Sequence, residues 1–175
     1  ASGTKDPMGA DEKDAAIRLA YDFPWFTIGG FYVDGSVGGD LLGGNAASTV
    51  DYSRTGIDFQ VEQGNLYIQG MYMDAKDDVY DPVNDVITGD QSNAAYYIQG
   101  FYVINAEGDT PIVPLLRYQS VESNDGNDSV DSIVANVTAY IRQNINVSLE
   151  YWKETSVPTG QAKNDRKTLL FNIVF

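Results

Sequence analysis

Four arginines carry the clearest chemical signal in this chain, because each lies in the middle of a segment where polar and apolar residues alternate. They are Arg18, Arg54, Arg117 and Arg142. A guanidinium group can attract a dissolved anion, or it can form a hydrogen-bonded pair with a carboxylate. Since Asp22, Asp58 and Glu150 share the same polar pattern, pairing that braces the surface is slightly favoured over an anion-attracting ladder.

A second group of polar residues resembles a calcium-binding loop in its spacing. Its members are Asp125, Asn127, Asp128 and Asp131. The group lacks the terminal glutamate and the full order of ligands that such a loop requires. A hydrated acidic surface is therefore the stronger interpretation, and calcium binding is the weaker one. We predict no cofactor and no firm metal site.

The composition excludes several classes of protein. The chain has no cysteine and no histidine, which removes thiolate chemistry, the usual zinc sites and histidine acid–base catalysis. Nothing in the sequence brings Asp58 and Glu150 together as a catalytic pair, so we do not expect an enzyme. A formal charge of −14 and an isoelectric point near 4.1 argue against binding to nucleic acid.

The elements that position these residues are strands, because hydrophobicity alternates with a period of two between turn residues. We predict nine strands and no helix. They cover residues 14–22, 26–36, 49–62, 65–76, 93–105, 111–122, 130–142, 145–155 and 165–175. Short connections alternate with long acidic ones, as they do in up-and-down barrels of outer membranes. The predicted fold is therefore all-β, a transmembrane antiparallel up-and-down β-barrel.

Each predicted strand has one polar and one apolar face. In a soluble barrel the apolar face would be the core, whereas in a membrane barrel it meets lipid and the polar face lines the lumen. The expected lipid-facing residues of the last strand are Leu169, Phe171, Ile173 and Phe175. The expected lumen-lining residues are Arg18, Tyr52, Arg54, Asp58, Gln60, Tyr67, Gln69, Tyr97, Gln99, Arg117, Gln119, Asn136, Tyr140, Arg142, Glu150 and Trp152.

The strand count gives a further expectation. Bacterial barrels have an even number of strands with both ends on the periplasmic side, and nine is odd. We therefore expect residues 1–13 to be an external loop segment and residues 14–175 to be the C-terminal strands of a larger barrel. The main alternative is a closed eight-stranded barrel, with one of the nine predicted strands wrong. The missing N-terminal barrel strands would then be a partner of this chain.

Several segments resemble strands of Gram-negative porins. They are Y-S-R-T-G-I-D-F-Q (52–60), N-L-Y-I-Q-G-M-Y-M (65–73), A-Y-Y-I-Q-G-F-Y-V (95–103) and P-L-L-R-Y-Q-S-V (114–121), followed by a last strand that ends in Phe175. In this order they resemble the C-terminal half of the phosphate-selective porin O/P family, over about residues 49–175. The resemblance implies a barrel of roughly sixteen strands, a homotrimer, and a terminal phenylalanine that the outer-membrane assembly machinery reads.

The expected function follows from the lumen and the resemblance. It is passive diffusion of small hydrophilic solutes, anionic ones included, across the outer membrane of a Gram-negative bacterium, with lipid and lipopolysaccharide around the barrel. One alternative is a structural barrel that sheaths or docks a partner such as an electron-transfer protein. Another is a soluble barrel that binds a small ligand.

Overall fold

The computed structural model describes residues 14–38, 49–81, 83–84, 86–142 and 144–173. Within these residues the chain forms nine strands and no helix. The strands are β1 (Ala15–Phe23), β2 (Phe26–Gly38), β3 (Thr49–Gln63), β4 (Leu66–Asp81), β5 (Val86–Tyr102), β6 (Ile112–Ser123), β7 (Asp128–Arg142), β8 (Ile145–Ser156) and β9 (Asp165–Ile173). Residues 1–13 and Phe175 lie outside the described residues.

The nine strands form a single antiparallel sheet in the order β1 to β9. Each strand pairs with its neighbours in the chain, so the prediction of nine strands in up-and-down order is confirmed. The first and last strands have no pairing with each other in the described structure. The sheet is therefore open in this chain, and closure into a barrel is not part of the observed fold.

The predicted lengths of the connections between strands are wrong in three places. The acidic stretch Asp77–Ser92 was expected to be a loop, but most of it continues β4 and β5 as a hairpin with a bulge between Val79 and Tyr80. Its β-branched and aromatic residues favour strand and outweigh the aspartates. The long loop expected between β6 and β7 is a turn over residues 124–127. The connection between β5 and β6, residues 103–111, was expected to be short but is longer than this turn and than the tip of the β4–β5 hairpin.

The apolar face of the sheet is uncovered. Leu19 is 72% exposed, Leu116 is 61% exposed and Phe171 is 69% exposed. Among the described residues only Val50, Ala75 and Val134 are buried hydrophobic residues, and no large side chain is fully buried. A soluble domain covers one face of its sheet with another layer, and this sheet has no such layer in the described part of the chain.

Candidate functional site

The register of the sheet places the polar residues on one face. One row runs across eight strands, from β2 to β9, in the order Thr27, Gln60, Gln69, Gln99, Arg117, Val134, Trp152 and Arg166. Directly opposed residues share a face of the sheet, and the alternation along each strand then carries the remaining predicted lumen residues to this face. Arg142 is the exception, because it follows a bulge at the end of β7.

Three ion pairs occur on this polar face of the described residues. Arg18 Nη2 lies 2.5 Å from Asp58 Oδ1, Arg54 Nη2 lies 2.6 Å from Asp77 Oδ1, and Arg166 Nη2 lies 3.5 Å from Glu150 Oε1. Both residues of the first pair were predicted from the sequence, and so was one residue of each of the other two pairs. Asp77, which was expected in a loop, and Arg166, which lies near the start of β9, were not predicted.

Arg54 is the centre of a network that joins three strands. Its Nη1 donates to the carbonyl oxygens of Ser53 and Lys76, at 2.8 and 3.1 Å, while Nη2 holds Asp77. The amide of Asn93 on β5 donates to the other oxygen of Asp77 at 3.1 Å. A guanidinium with both terminal nitrogens engaged is fixed in position, so Arg54 acts as a brace between strands.

Two glycines of β2 allow polar side chains of β3 to meet those of β1, and of Asp14 just before it, above the strand between them. The Arg18–Asp58 pair passes over Gly29, and the hydroxyl of Tyr52 donates to Asp14 at 3.0 Å beside Gly35. A Cβ atom at position 29 would lie 2.8 Å from both Arg18 Nη2 and Asp58 Oδ2. The absence of a side chain is therefore a requirement of this contact.

Arg117 and Arg142 differ from the other two predicted arginines. Neither is in an ion pair among the described residues. The Nε atom of Arg117 is buried and has no hydrogen-bond partner in the described structure. Arg142 is exposed and borders a depression of about 490 Å³ together with Phe101, Val113 and Tyr140.

The candidate calcium residues do not converge on one point. Asp125 accepts a hydrogen bond from the backbone N–H of Ser92 at 2.8 Å, and Asp131 accepts one from the Ser120 hydroxyl at 2.6 Å. Asp128 accepts a bond from the Asn124 amide at 3.3 Å, while Asn127 donates to the carbonyl oxygen of that same residue. The described residues contain no group of three or more acidic side chains that could hold a metal ion.

The apolar face has a sharply defined upper edge. On β2, β4, β6 and β8 the last apolar residue of this face before the polar ones is a tyrosine. These residues are Tyr32, Tyr72, Tyr118 and Tyr151. The register allows their positions to be compared with the row of paired residues that contains Tyr72. Tyr32 lies two residues beyond this row, Tyr118 lies two residues short of it, and Tyr151 lies four residues short of it. The edge therefore shifts by one residue per strand.

The lower edge of the apolar face shifts in the same way. On these four strands the first residue of the apolar face after the turn lies six positions before the tyrosine. These first residues are Phe26, Leu66, Ile112 and Ile145. A shift of one residue is about 3.3 Å along a strand, and neighbouring strands are about 4.8 Å apart. Both edges are therefore inclined by about 35° to the rows of paired residues. We name this surface the oblique belt.

The height of the oblique belt follows from the first charged residue on the apolar face of each strand. On β2, β4 and β8 this residue is Asp34, Asp74 and Lys153, nine positions from the turn residues Trp25, Asn65 and Asn144 (34 − 25, 74 − 65 and 153 − 144). On these three strands nine residues of about 3.3 Å, tilted by about 35°, give a charge-free height of about 24 Å. On β6 the first charged residue of this face is Glu122, eleven positions from Pro111 (122 − 111), so the charge-free stretch is longer there. Transmembrane barrels have an apolar band of about 25 Å and strands tilted by about 35–45°.

The chain was compared with protein-family models, with curated proteins and with solved structures, and none of them matches it. The comparisons therefore name no family, and the functional argument depends on the two faces of the sheet. No helix in the described part of the chain is long and apolar enough to cross a membrane.

Proposed function

We propose that this chain forms part of the wall of a transmembrane β-barrel in the outer membrane of a Gram-negative bacterium, through whose water-filled lumen small hydrophilic solutes diffuse. The observation that carries the proposal is the oblique belt. Its edges are parallel, its height is about 24 Å and its slope corresponds to a strand tilt of about 35°.

The belt supports a lipid contact because its side chains are large, apolar and exposed. Leu19, Ile57 and Leu149 are each at least 60% exposed. Contiguous exposed apolar surface of this extent is rare on soluble proteins and marks an interaction surface. Flat and parallel edges fit a lipid layer of constant thickness, with the acidic end of the strands, around Asp34 and Asp74, at the lipopolysaccharide side.

The polar face supports a water-filled lumen. Its side chains bond to one another and to backbone carbonyl groups, as the Arg54 network does, and they leave further donors and acceptors free for water. The row from Gln60 to Gln69 and Gln99 offers neutral amides that bind hydrophilic solutes weakly. Weak contacts of this kind permit passage, whereas tight binding would hold a solute in the pore.

The ion pairs favour weak selectivity over a preference for anions. Three of the five arginines on or near the polar face, those at positions 18, 54 and 166, have a carboxylate partner. A paired guanidinium has little net field at the distance of a passing ion. We therefore assign the arginines mainly a bracing role, and we propose no single solute for the channel.

Single-channel recording tests the proposal directly. The native protein that contains this sequence is purified in detergent and added to a planar lipid bilayer, and stepwise conductance without a voltage threshold is expected. Insertion without conductance would contradict diffusion and would instead indicate a barrel that sheaths a partner. A protein that dissolves from cells without detergent would contradict the membrane location and would favour the soluble barrel.

A further inference from the structure

One row of residues on the polar face has no polar side chain. The register opposes its members in succession from β2 to β7, and the row lies four residues above the row that contains Gln69 and Gln99. None of its members was predicted to line the lumen. We name these residues the apolar row: Phe31, Gly56, Met73, Ala95, Val121 and Val130.

The apolar row is a continuous surface that is open on its lumen side. A Cβ atom at Gly56 would lie 2.5 Å from Cε1 of Phe31, so the phenyl ring covers the one position of the row that lacks a side chain. Phe31 and Met73 are half-buried, whereas Val121 is 52% exposed. The row therefore offers apolar contacts to a molecule in the lumen.

The height of the apolar row limits what can bind to it. Six strands at about 4.8 Å give a length of about 24 Å, but successive rows of one face are only about 7 Å apart. Polar residues bound the row on both sides, with Arg54 and Asn93 above it and Asp58 and Tyr97 below it. A helix of a partner protein is about 10–12 Å wide and would also bury these polar groups. A single hydrocarbon group fits the row without covering them.

The charges beside the apolar row are compensated. Arg54 lies 2.6 Å from Asp77 above the row. Arg18, which is opposed to Phe31, lies 2.5 Å from Asp58. Paired charges have little net field at the distance of a passing molecule. The surroundings therefore suit a solute without net charge.

Two neutral polar side chains lie directly below the centre of the apolar row. Tyr97 and Gln119 are opposed to each other on β5 and β6, two residues below Ala95 and Val121. Neither side chain has a hydrogen-bond partner among the described residues. A phenol and an amide can both donate and accept hydrogen bonds. Either can therefore bind an ammonium, carboxylate or hydroxyl group of a solute.

We propose that the apolar row binds the hydrocarbon group of small zwitterionic or uncharged solutes, while Tyr97 and Gln119 bind their polar end. The inference rests on the proposed function, because it requires the polar face to meet the water through which solutes pass. Contact with the row removes apolar surface from water on both partners. Since one side of the row is open, binding is weak enough to permit release, as conduction requires.

Single-channel recording of the native protein with two amino acids tests this specificity. L-phenylalanine and glycine are both zwitterions and differ only in the benzyl group. We expect L-phenylalanine to lower the mean conductance in potassium chloride in a saturable way, and glycine at the same concentrations to leave it unchanged. An equal effect of both amino acids, or no effect of L-phenylalanine on a conducting channel, would overturn the inference.

Variants of the apolar row locate the binding site. Met73→Gln and Val121→Thr, introduced together, make the row polar while they keep the size of both side chains. The half-blocking concentration of L-phenylalanine should rise about three- to tenfold, which is less than in a closed pocket. The control is Val113→Thr on the same strand and face, eight residues lower (121 − 113), and it should not change this concentration. An unchanged value in the double variant would overturn the inference, and Val121→Thr alone is measured if the double variant does not insert.

A binding measurement that needs no channel separates this inference from the proposed function. Saturation-transfer NMR of the protein in detergent detects L-phenylalanine bound to it, whether or not the protein conducts. Binding that is lost in the double variant, without any stepwise conductance, would support the apolar row as a site and would contradict the diffusion channel. Stepwise conductance without such binding would overturn the inference and leave the proposed function in place.

Discussion

Arg18 and Asp58 form an ion pair that bypasses the strand between them. Arg18 is on β1 and Asp58 is on β3, yet Nη2 lies 2.5 Å from Oδ1 and Nε donates to Oδ2 at 3.2 Å. The two bonds are parallel, which is the most directional arrangement of a guanidinium and a carboxylate. They pass above Gly29 of β2, which is opposed to Asp58 in the register. The pair thus links three strands on the polar face.

Gly29→Ala should destabilise the sheet. The new methyl group would lie 2.8 Å from Arg18 Nη2 and from Asp58 Oδ2, so the bridge must open or the strand must shift. Both atoms are at the ends of flexible and partly exposed side chains, so the loss of stability is that of opening this ion pair and is modest. The matched control is Gly30→Ala on the opposite face, where the nearest atom, the Gly56 carbonyl oxygen, is 3.6 Å away. Thermal unfolding in detergent, followed by circular dichroism, should show a lower melting temperature for the first variant only. Equal melting temperatures would contradict the role of Gly29.

Arg54→Gln should shift the selectivity of the channel towards cations. The substitution removes the positive charge that lies 2.6 Å from Asp77 and leaves the carboxylate unpaired on the polar face. The double variant Arg54→Gln, Asp77→Asn removes both charges and should return the reversal potential in a salt gradient close to that of the unaltered protein. If neither variant changes the reversal potential, the polar face does not line the conducting path.

The positions of the strands could be predicted from the sequence, because a period of two is strong wherever tyrosine and isoleucine alternate with polar residues. The predicted 26–36 and 165–175 correspond to Phe26–Gly38 and Asp165–Ile173. The stretch from Asp77 to Ser92 was misread because its aspartates are typical of loops, while Val86 and Ile87, which extend the hairpin, are too few to give a periodic signal.

The ion pairs between strands could be predicted only where the register of the paired strands could itself be predicted from the sequence. The two-residue turn after Gln63 pairs this residue with Leu66 and so opposes Arg54 to Ala75. Asp77 is two residues from Ala75 and therefore lies on the same face, diagonally opposite Arg54. This pair could have been predicted from the length of the turn and the alternation along β4. The Glu150–Arg166 pair depends on a register set across the connection at 157–164. The Arg18–Asp58 pair requires two registers at once, together with the missing side chain of Gly29.

The tip of the β4–β5 hairpin should loosen in acid. Asp81 accepts hydrogen bonds from the Asn84 side-chain amide at 2.6 Å and from the backbone N–H groups of Val83 and Asn84. These bonds, the Asn84 amide first, lower the pKa of Asp81 below its usual 3.8. Because the pKa of Asp81 is lowered in the folded turn, its carboxylate stabilises the turn fully at any pH above its usual pKa. This stabilisation is lost as the pH falls below the usual pKa and through the lower pKa of the folded turn.

Amide resonances of Val83 and Asn84 would report this transition. Between pH 7 and pH 5 they should stay constant, and below about pH 4 they should move towards the positions of an open turn. Asp81→Asn is the control, because its side chain does not titrate and the transition of these two amides should disappear. A change centred near neutral pH, or the same acid transition in the control variant, would contradict the assignment to Asp81.

A lysine at the centre of the oblique belt should be costly, and the same lysine beyond its upper edge should not. Leu116 on β6 is 61% exposed, so on a water-facing surface Leu116→Lys would change the free energy of unfolding by no more than about 0.5 kcal/mol. In a lipid layer it should cost about 2–4 kcal/mol. Glu122→Lys is the control, because it changes a residue on the same strand and face that is already charged. It should have little effect on the free energy of unfolding, whether this face meets water or lipid. Urea titration of folding into lipid vesicles measures both variants. Because the two positions share a strand and a face, a loss of about 2–4 kcal/mol at Leu116 alone is the result expected from its depth in the membrane, and equal stabilities would remove the main support for the barrel.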